Sequence, residues 1–145
     1  MASVKICGIT SESDLEMAVE AGADMVGFVI VETSPRFVDF EHAQALIRRA
    51  AELGVEPWVV ATTAIPWLDR LVEETPEIGA VQLHGKESPG RVAGFARKHP
   101  LVPVIKAMGV SSKRDLADAE AFDAADAFLF DAKPPAGADR EGGHG

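Results

Sequence analysis

The chain has 145 residues, 47% of them hydrophobic, so it can bury the core of one domain and is not a solvated tail. Its formal net charge of −9 repels nucleic acid and anionic membrane surfaces, which favours a small-molecule partner over either of them. A single cysteine cannot form an intramolecular disulfide, and neither a signal peptide nor a long uncharged apolar run is visible, so we expect a cytoplasmic protein.

Short apolar runs alternate with amphipathic stretches, at a spacing of about 20 to 30 residues that suits repeated βα units. None of the runs alternates cleanly between apolar and polar residues, which is typical of parallel strands with helices packed outside. We therefore predict six strands: Val4–Cys7, Met25–Val31, Pro57–Ala61, Ala80–Leu83, Val102–Ala107 and Ala127–Asp131.

The stretches between these strands carry helix signals. The first helix is predicted to start at Ser11 or Ser13 and to end at Gly22, where a left-handed backbone conformation costs little. Asp39 is a plausible N-cap for the next helix, and Gly54 supplies its stop. The apolar positions between them have helical spacing, at Ala43, Leu46, Ile47 and Ala50.

Later in the chain, Ser88 followed by Pro89 predicts another helix start, and a weaker apolar stripe after Ser112 predicts a last helix. No clear change in composition marks a second domain. We therefore predict a single domain over residues 1–145, in which residues 134–145 have turn chemistry and form a flexible loop after the sixth strand.

Strict alternation of strands and helices fits two architectures, an open doubly wound sheet or part of a closed eight-stranded barrel. Periodicity alone does not choose between them. A Gly-x-Gly-x-x-Gly turn is absent after the first strand, which weighs against a dinucleotide-binding sheet because the approach of the backbone to the pyrophosphate needs those glycines.

Polar residues lie at or just after the ends of the predicted strands. They are Cys7, Arg36, Gln82, His84, Lys106 and Asp131. The carboxyl ends of parallel strands share one edge of the sheet, where active sites form. A thiol, a carboxylate and a guanidinium at one mouth could move protons on a small anionic substrate, so the pattern indicates an acid-base site.

Each of these residues also has a structural interpretation. Cys7 could be a small buried hydrophobe, although Gly8 after it would allow a ligand to approach closely. Asp131 could be a loop residue bonded to nearby amides, and Arg36 a solvated charge instead of a carboxylate clamp. His84 has no second histidine or cysteine at ligand spacing, so we predict no metal site.

Several short motifs occur in the order seen in phosphoribosylanthranilate isomerases. They are Lys5-Ile6-Cys7-Gly8-Ile9-Thr10, Ser34-Pro35-Arg36, Gln82-Leu83-His84-Gly85, Ile105-Lys106-Ala107 and Phe130-Asp131-Ala132-Lys133. The chain therefore resembles that family over essentially its whole length. The resemblance implies an α/β fold, a (β/α)8 TIM barrel, of which about six of the eight βα units are present as strands one to six.

The resemblance also implies an activity: a cofactor-free Amadori rearrangement in tryptophan biosynthesis. The substrate would be N-(5-phosphoribosyl)anthranilate and the product 1-(o-carboxyphenylamino)-1-deoxyribulose 5-phosphate. The family pattern makes Asp131 the general acid and Cys7 the general base, and it puts Arg36 on the anthranilate carboxylate. A cation near Cys7 would favour its thiolate, for which Lys5 and Lys106 are the candidates. The other expected substrate-binding residues are Lys5, Gly8, Gln82 and His84.

The sequence departs from the family pattern towards its end. Family chains continue through two further βα units, whose loops commonly hold the substrate phosphate in such barrels. Here Gly142-Gly143-His144-Gly145 stands where Gly-Gly-Thr-Gly is common. We expect the chain to be part of a longer enzyme, while a degraded form and a homo-oligomer that completes the sheet stay open.

Two other functions also stay open. One is another ribulose-phosphate barrel enzyme, such as indole-glycerol-phosphate synthase, although that chemistry would need a lysine and glutamates in a different order. The other is a partial barrel without activity that acts as an assembly or binding module.

Overall fold

Parallel strands alternate with helices over residues 1–133, the part of the chain that the computed structural model describes. The six strands are β1 (Lys5–Cys7), β2 (Met25–Val29), β3 (Glu56–Ala61), β4 (Ala80–Leu83), β5 (Val104–Val110) and β6 (Ala127–Ala132). The five helices are α1 (Glu12–Glu20), α2 (Phe40–Glu52), α3 (Leu68–Glu74), α4 (Pro89–Lys98) and α5 (Lys113–Ala119). The strands pair in parallel in the order β1 to β6, so each helix is a crossover between neighbouring strands.

The strand predictions are confirmed in number and order, with differences at some strand ends. β2 ends at Val29, since the chain soon turns and the carbonyl of Val31 accepts a hydrogen bond from the amide of Ser34 at 2.9 Å. β5 starts after Pro103, which has no amide hydrogen to donate to a neighbouring strand. It continues to Val110 because β6 pairs with it that far.

Short polar side chains start α1, α2 and α4, as the sequence predicts. Ser11 and Asp39 each accept a hydrogen bond from a backbone amide in the first turn of α1 and α2. Ser88 caps α4 in the same way, with Pro89 in the first turn. Gly22 follows α1 with a φ of 85°, which is the left-handed conformation expected there.

The two faces of the sheet bury different sets of side chains. One face packs against the helices, and its fully buried residues include Phe28, Val59 and Val81, in contact with a core that includes Leu15 and Ile47. The alternate residues of each strand form the second face. Its buried apolar residues are Val60, Ala80, Ile105 and Ala107. Burial on both faces explains why the strands read as continuous apolar runs.

The second face is concave. Nζ of Lys5 in β1 donates a hydrogen bond to Oε1 of Gln82 in β4, across β2 and β3. Neighbouring strands lie roughly 4.8 Å apart, so β1 and β4 would be about 14 Å apart in a flat sheet, with side chains standing roughly perpendicular to it. Contact between these two side chains therefore requires the sheet to curl around them, as in half of a barrel.

Strands β1 and β6 form the edges of this sheet within residues 1–133. On β6, Phe128 and Phe130 stack with ring centroids 5.9 Å apart and are 36% and 50% exposed. No described helix has both the length and the apolar character that crossing a bilayer demands. The flexible loop predicted over residues 134–145 lies outside the described residues.

Candidate active site

Cys7 ends β1 with an exposed side chain on the concave face. Its register partner in β2 is Gly27, and a Cβ atom on Gly27 would lie only 2.8 Å from the Cys7 sulfur. A glycine at this position therefore makes room for the thiol. Gly8, the next residue, has a φ of 85°, a conformation that favours glycine and turns the chain away from the strand.

Arg36 lies directly over Gly8. A Cβ atom on Gly8 would be 2.3 Å from Cδ of Arg36 and 2.9 Å from its Nη1, so the missing side chain leaves space for the arginine. The segment that carries Arg36 folds back onto β2, where the amide of Val38 donates to the carbonyl of Val29 at 2.9 Å. An exposed guanidinium is thereby held beside the residue that follows Cys7.

Lys5, Gln82 and His84 form a chain of hydrogen bonds on the concave face. Nζ of Lys5 donates to Oε1 of Gln82, and Nε2 of Gln82 lies 3.0 Å from Nδ1 of His84. Gln82 is only 2% exposed, whereas the imidazole of His84 is exposed at the carboxyl end of β4. The backbone amide of His84 also donates to the carbonyl of Ala61 at 2.9 Å, which anchors the start of its loop.

The Lys5 ammonium is partly buried and has both Cys7 and the Trp58 ring nearby. Burial lowers the pKa of Lys5, and the nearby Cys7 acts in the opposite direction. Nζ of Lys5 also lies 4.8 Å from the centroid of the Trp58 ring, within range of a cation–π contact. Lys5 is therefore the cation that interacts electrostatically with Cys7.

The strand register puts Asp131 on the same face as Cys7. Gln82 is the register partner of Ile105, which in turn pairs with Ala127. Since side chains alternate along a strand, Ala127 and Asp131, four residues apart, share the concave face with Gln82. Asp131 is half-buried near the carboxyl end of β6, while Cys7 is at the carboxyl end of β1.

Lys106, the other cation considered for Cys7, points to the opposite face. It pairs in register with Leu83, which belongs to the core that packs against the helices. Its Nζ donates to Oε2 of Glu87 at 2.9 Å and to the carbonyl of Gly85 at 2.8 Å. The expectation that Lys106 could accompany the thiol is therefore wrong, because the alternation of side chains turns it away from the concave face.

Glu87 is a site-supporting residue that the sequence did not reveal. Its carboxylate accepts hydrogen bonds from Lys106, from the amide of Gly85 at 3.0 Å and from the amide of Thr63 at 3.2 Å. It thus joins the loops after β3 and β4, the second of which starts with His84. A glutamate just before a helix N-cap looks solvated in the sequence, and only the tertiary pairing with Lys106 marks it as buried.

The predicted site residues therefore fall into two groups. Arg36 packs on Gly8, the residue after Cys7 at the end of β1, and Lys5, Gln82 and His84 are linked by hydrogen bonds across the concave face. Asp131 lies on the same face, on the other edge strand. No cluster of three His, Cys, Asp or Glu side chains that could hold a metal ion occurs within residues 1–133.

Two surface clefts are lined by described residues, and neither includes Cys7 or Asp131. The first, of about 400 Å³, lies beside α4 and is lined in part by His99 and Asp126. The second, of about 330 Å³, lies between the loops after β2 and β3.

A curled parallel sheet that alternates with helices and gathers polar side chains at the carboxyl ends of its strands is the arrangement of α/β-barrel enzymes. Comparison with known protein families identifies one family within this class of enzymes. The family model described as N-(5'phosphoribosyl)anthranilate (PRA) isomerase matches residues 4–145. The chain therefore belongs to the phosphoribosylanthranilate isomerase family.

Individual relatives agree with this assignment. N-(5'-phosphoribosyl)anthranilate isomerase of Rhodopseudomonas palustris is 44% identical over 143 residues, which cover 98% of this chain and 66% of that protein. Monomers generated from the dimeric phosphoribosylanthranilate isomerase of Thermotoga maritima share 36% identity at a TM-score of 0.75, covering 91% of this chain and 65% of that one.

Another solved structure is that of a phosphoribosylanthranilate isomerase in complex with reduced 1-(o-carboxyphenylamino)-1-deoxyribulose 5-phosphate. It is 35% identical with a TM-score of 0.78, covering 91% of this chain and 66% of its own. The chain thus spans just under two thirds of the length of these relatives.

Proposed function

We propose that the protein containing this chain isomerises N-(5-phosphoribosyl)anthranilate to 1-(o-carboxyphenylamino)-1-deoxyribulose 5-phosphate, a step of tryptophan biosynthesis, without a cofactor. One observation carries the proposal: Cys7 and Asp131 lie at or near the carboxyl ends of strands on the same concave face, with Arg36 packed on Gly8, the residue after Cys7. Membership of the isomerase family and the product analogue bound by a solved relative support the same reaction.

Asp131 is the proposed general acid. It transfers its proton to the ribose ring oxygen while the bond between that oxygen and C1 breaks. The lone pair of the anthranilate nitrogen forms a C1–N double bond at the same time, which gives a protonated Schiff base. Asp131 is left as a carboxylate, whose position near the end of β6 keeps it close to the opened sugar.

Cys7 is the proposed general base. The protonated Schiff base acidifies the C2 hydrogen, which the thiolate removes. The electrons of the C2–H bond form a C1–C2 double bond, and those of the C1–N double bond return to nitrogen, which gives an enolamine. Transfer of a proton to C1 at the C1–C2 double bond, with loss of the C2 hydroxyl proton and formation of the C2–O double bond, then gives the ketone product. Lys5, which lies two residues before Cys7 on the same face of β1, is the cation that interacts electrostatically with it.

Arg36 is the proposed partner of the anthranilate carboxylate. Its guanidinium is planar and can donate two parallel hydrogen bonds to a carboxylate. Because Arg36 packs on Gly8, a carboxylate bound there would lie close to Cys7. The proposed substrate-binding set also includes Lys5, Gly8, Gln82 and His84.

The complete protein is proposed to be a closed eight-stranded barrel. Two further βα units after β6 would supply partners for both edge strands and the loops that hold the substrate phosphate. A single domain over residues 1–145, a location in the cytoplasm and assembly into a homo-oligomer stay predictions. The assembly is suggested by the dimeric Thermotoga maritima relative.

Turnover of phosphoribosylanthranilate in D2O tests the proposal. Purified protein should accelerate the loss of anthranilate-type fluorescence, and the product should carry one deuterium at C1, since the last proton comes from solvent. A sample without protein controls for spontaneous hydrolysis. No acceleration, together with a well-defined oligomer in sedimentation velocity, would instead favour the binding or assembly module.

A further inference from the structure

Lys133 follows β6 on the same face of the sheet as Asp131. The amide of Lys133 donates to the carbonyl of Val110 at 3.2 Å, which continues the pairing between β5 and β6 by one residue. Since side chains alternate along a strand, Lys133 and Asp131, two residues apart, point to the same side. Residues at this spacing are about 6.6 Å apart, a distance that the flexible four-carbon chain of a lysine spans. Lys133 is therefore long enough to pair with the proposed general acid.

Lys133 is instead bound to another carboxylate. Its Nζ donates a hydrogen bond to Oδ1 of Asp115, in the first turn of α5. On the way, its side chain passes over Gly109, the register partner of Asp131. A Cβ atom on Gly109 would lie 2.9 Å from Cγ and 3.8 Å from Cε of Lys133. The missing side chain at Gly109 thus leaves a path for Lys133 away from Asp131 and towards α5.

Asp115 is well suited to hold this cation. Its other carboxylate oxygen, Oδ2, accepts four hydrogen bonds, from the backbone amides and the hydroxyl groups of Ser111 and Ser112, at 2.8 to 3.1 Å. The hydrogen bond from Lys133, followed by that from the Ser111 amide, lowers the pKa of Asp115. Asp115 is therefore ionised at neutral pH, and only 13% of its side chain is exposed.

Asp131 is consequently left without a cation. Within residues 1–133, no side chain forms a hydrogen bond or an ion pair with its carboxyl group. The other lysine on the concave face of the described strands is Lys5, which bonds to Gln82. Cys7 lies on the far edge strand, and the residues of β5 that share the face are uncharged, namely Ile105, Ala107 and Gly109. A nearby cation favours the ionised form of a carboxyl group, whereas a general acid must carry a proton.

We propose that Asp115 is a positioning residue that captures Lys133 across Gly109, so that Asp131 has no cationic partner and keeps the proton it gives to the substrate. Loss of the Asp115 charge releases Lys133, which then pairs with Asp131. The capture of Lys133 is independent of any activity, whereas its benefit to catalysis rests on the proposed isomerase function.

Carbon NMR of the aspartate carboxyl groups tests the capture directly. The Asp131 signal is the one that disappears in Asp131→Asn. In Asp115→Asn the amide oxygen can still accept from the serine groups, but the negative charge is lost. We expect the midpoint of the Asp131 titration to fall by about 1 to 3 pH units in this variant, the range for a carboxyl group next to a cation. Asp118→Asn, which removes an exposed carboxylate from the same helix, should leave the midpoint unchanged.

Two further variants separate capture of the lysine from a direct effect of the Asp115 charge. Lys133→Met added to Asp115→Asn should restore the wild-type midpoint, because the cation itself is gone. Gly109→Ala should lower the midpoint with Asp115 intact, because the new methyl group displaces Lys133 from its path. The proposal is wrong if the midpoint stays at the wild-type value in folded Asp115→Asn or Gly109→Ala, or if removal of Lys133 fails to restore it.

The pH profile of kcat links the capture to turnover. In Asp115→Asn the limb set by Asp131 should move to lower pH while the other limb stays. Above that limb, kcat should fall by about tenfold for each pH unit of the change, since the protonated fraction of the acid falls by that factor. The double variant should turn over at nearly the wild-type rate.

The two measurements fail separately. A changed Asp131 titration with an unchanged kcat profile would overturn the benefit to catalysis. Wild-type protein without turnover would overturn the proposed isomerase function, while the NMR titrations would still decide whether Asp115 captures Lys133.

Discussion

At the scale of single residues, the concave face depends on two glycines, which leave room for neighbouring groups because they have no side chain. Gly8 and Gly27 flank Cys7 in space, and a Cβ atom on either would collide with Arg36 or with the thiol. Gly27 has an ordinary strand conformation, so its lack of a side chain, and not its backbone freedom, is what the site requires.

Gly27→Ala should therefore displace the Cys7 sulfur with little effect on the fold. We expect kcat to fall by about tenfold to a hundredfold, because small misplacements of a reacting group have effects of this size. Gly94→Ala is the matched control, since a Cβ atom there meets nothing within 4 Å. Steady-state kinetics would disprove the steric role if both variants turned over equally fast.

Replacement of the proposed acid or base should have larger effects. Cys7→Ala and Asp131→Ala should each lower kcat by about two orders of magnitude or more, which is typical for loss of a general acid or base. Asp118→Asn, which removes an exposed carboxylate from α5, serves as the control. Turnover near the wild-type rate in either alanine variant would remove that residue from the mechanism.

At the scale of helices, strands and their loops, the Lys106–Glu87 pair links β5 to the loops after β3 and β4. Both side chains are almost fully buried, with exposed fractions of 4% and 3%. Their charges are compensated by each other and by backbone groups of Leu83, Gly85 and Thr63. Such a pair is costly to break, because the remaining partner stays buried without compensation.

Glu87→Gln should lower the free energy of unfolding by about 3 to 5 kcal/mol, the range for breaking a buried ion pair. Urea denaturation followed by circular dichroism measures this change. Glu20→Gln, at an exposed position of α1, should change stability by no more than about 0.5 kcal/mol. Equal stability of the two variants would contradict a structural role for the buried pair.

A second ionic contact joins α3 to the end of α4. Asp69 accepts from Lys98 at 2.6 Å and from the buried His99 at 2.7 Å. The hydrogen bond from Lys98, followed by that from His99, lowers the pKa of Asp69. Its side chain is 44% exposed, so solvent screening keeps the contribution to stability modest.

The sign of the resulting pH dependence follows from the lowered pKa. The Asp69 carboxylate stabilises the fold at pH values above its unfolded pKa of about 3.9, and this stabilisation is lost as the pH falls through the lower folded pKa. Asp69→Asn should therefore reduce Tm at pH 7, with a difference from wild type that shrinks below about pH 4. Thermal unfolding at a series of pH values would refute this if the difference were constant.

Local signals in the sequence predict most of these elements. Ser11, Asp39 and Ser88 cap helices because a short polar side chain bonds to nearby amides, and this depends only on neighbouring residues. The face to which Lys106 points could not be predicted in this way. Its strand is apolar on both sides, so only the register with β4 and β6 determines the face.

At the scale of the whole molecule, the described sheet has two edges and an apolar patch. Phe128 and Phe130 lie exposed on β6, on the face opposite to Asp131. An edge strand with exposed aromatic side chains tends to pair with other chains. We expect the isolated 145-residue protein to self-associate, and Phe130→Lys to shift it towards monomer.

Sedimentation velocity at several concentrations measures this equilibrium. The control is Leu101→Lys, because Leu101 is exposed. Phe122→Lys would not serve, because Phe122 packs against the core. Leu101→Lys should leave the distribution unchanged. A wild-type protein that stays monomeric at high concentration would show that β6 does not drive association.

The hydrogen bond between Lys5 and Gln82 also has a consequence for protein synthesis. The two residues are 77 positions apart, and at about 5 to 20 residues per second a ribosome needs roughly 4 to 15 s to add that many. During this interval the nascent β1 lacks the glutamine that its lysine binds, so the contact that spans the curled sheet forms only after the fourth strand has left the exit tunnel.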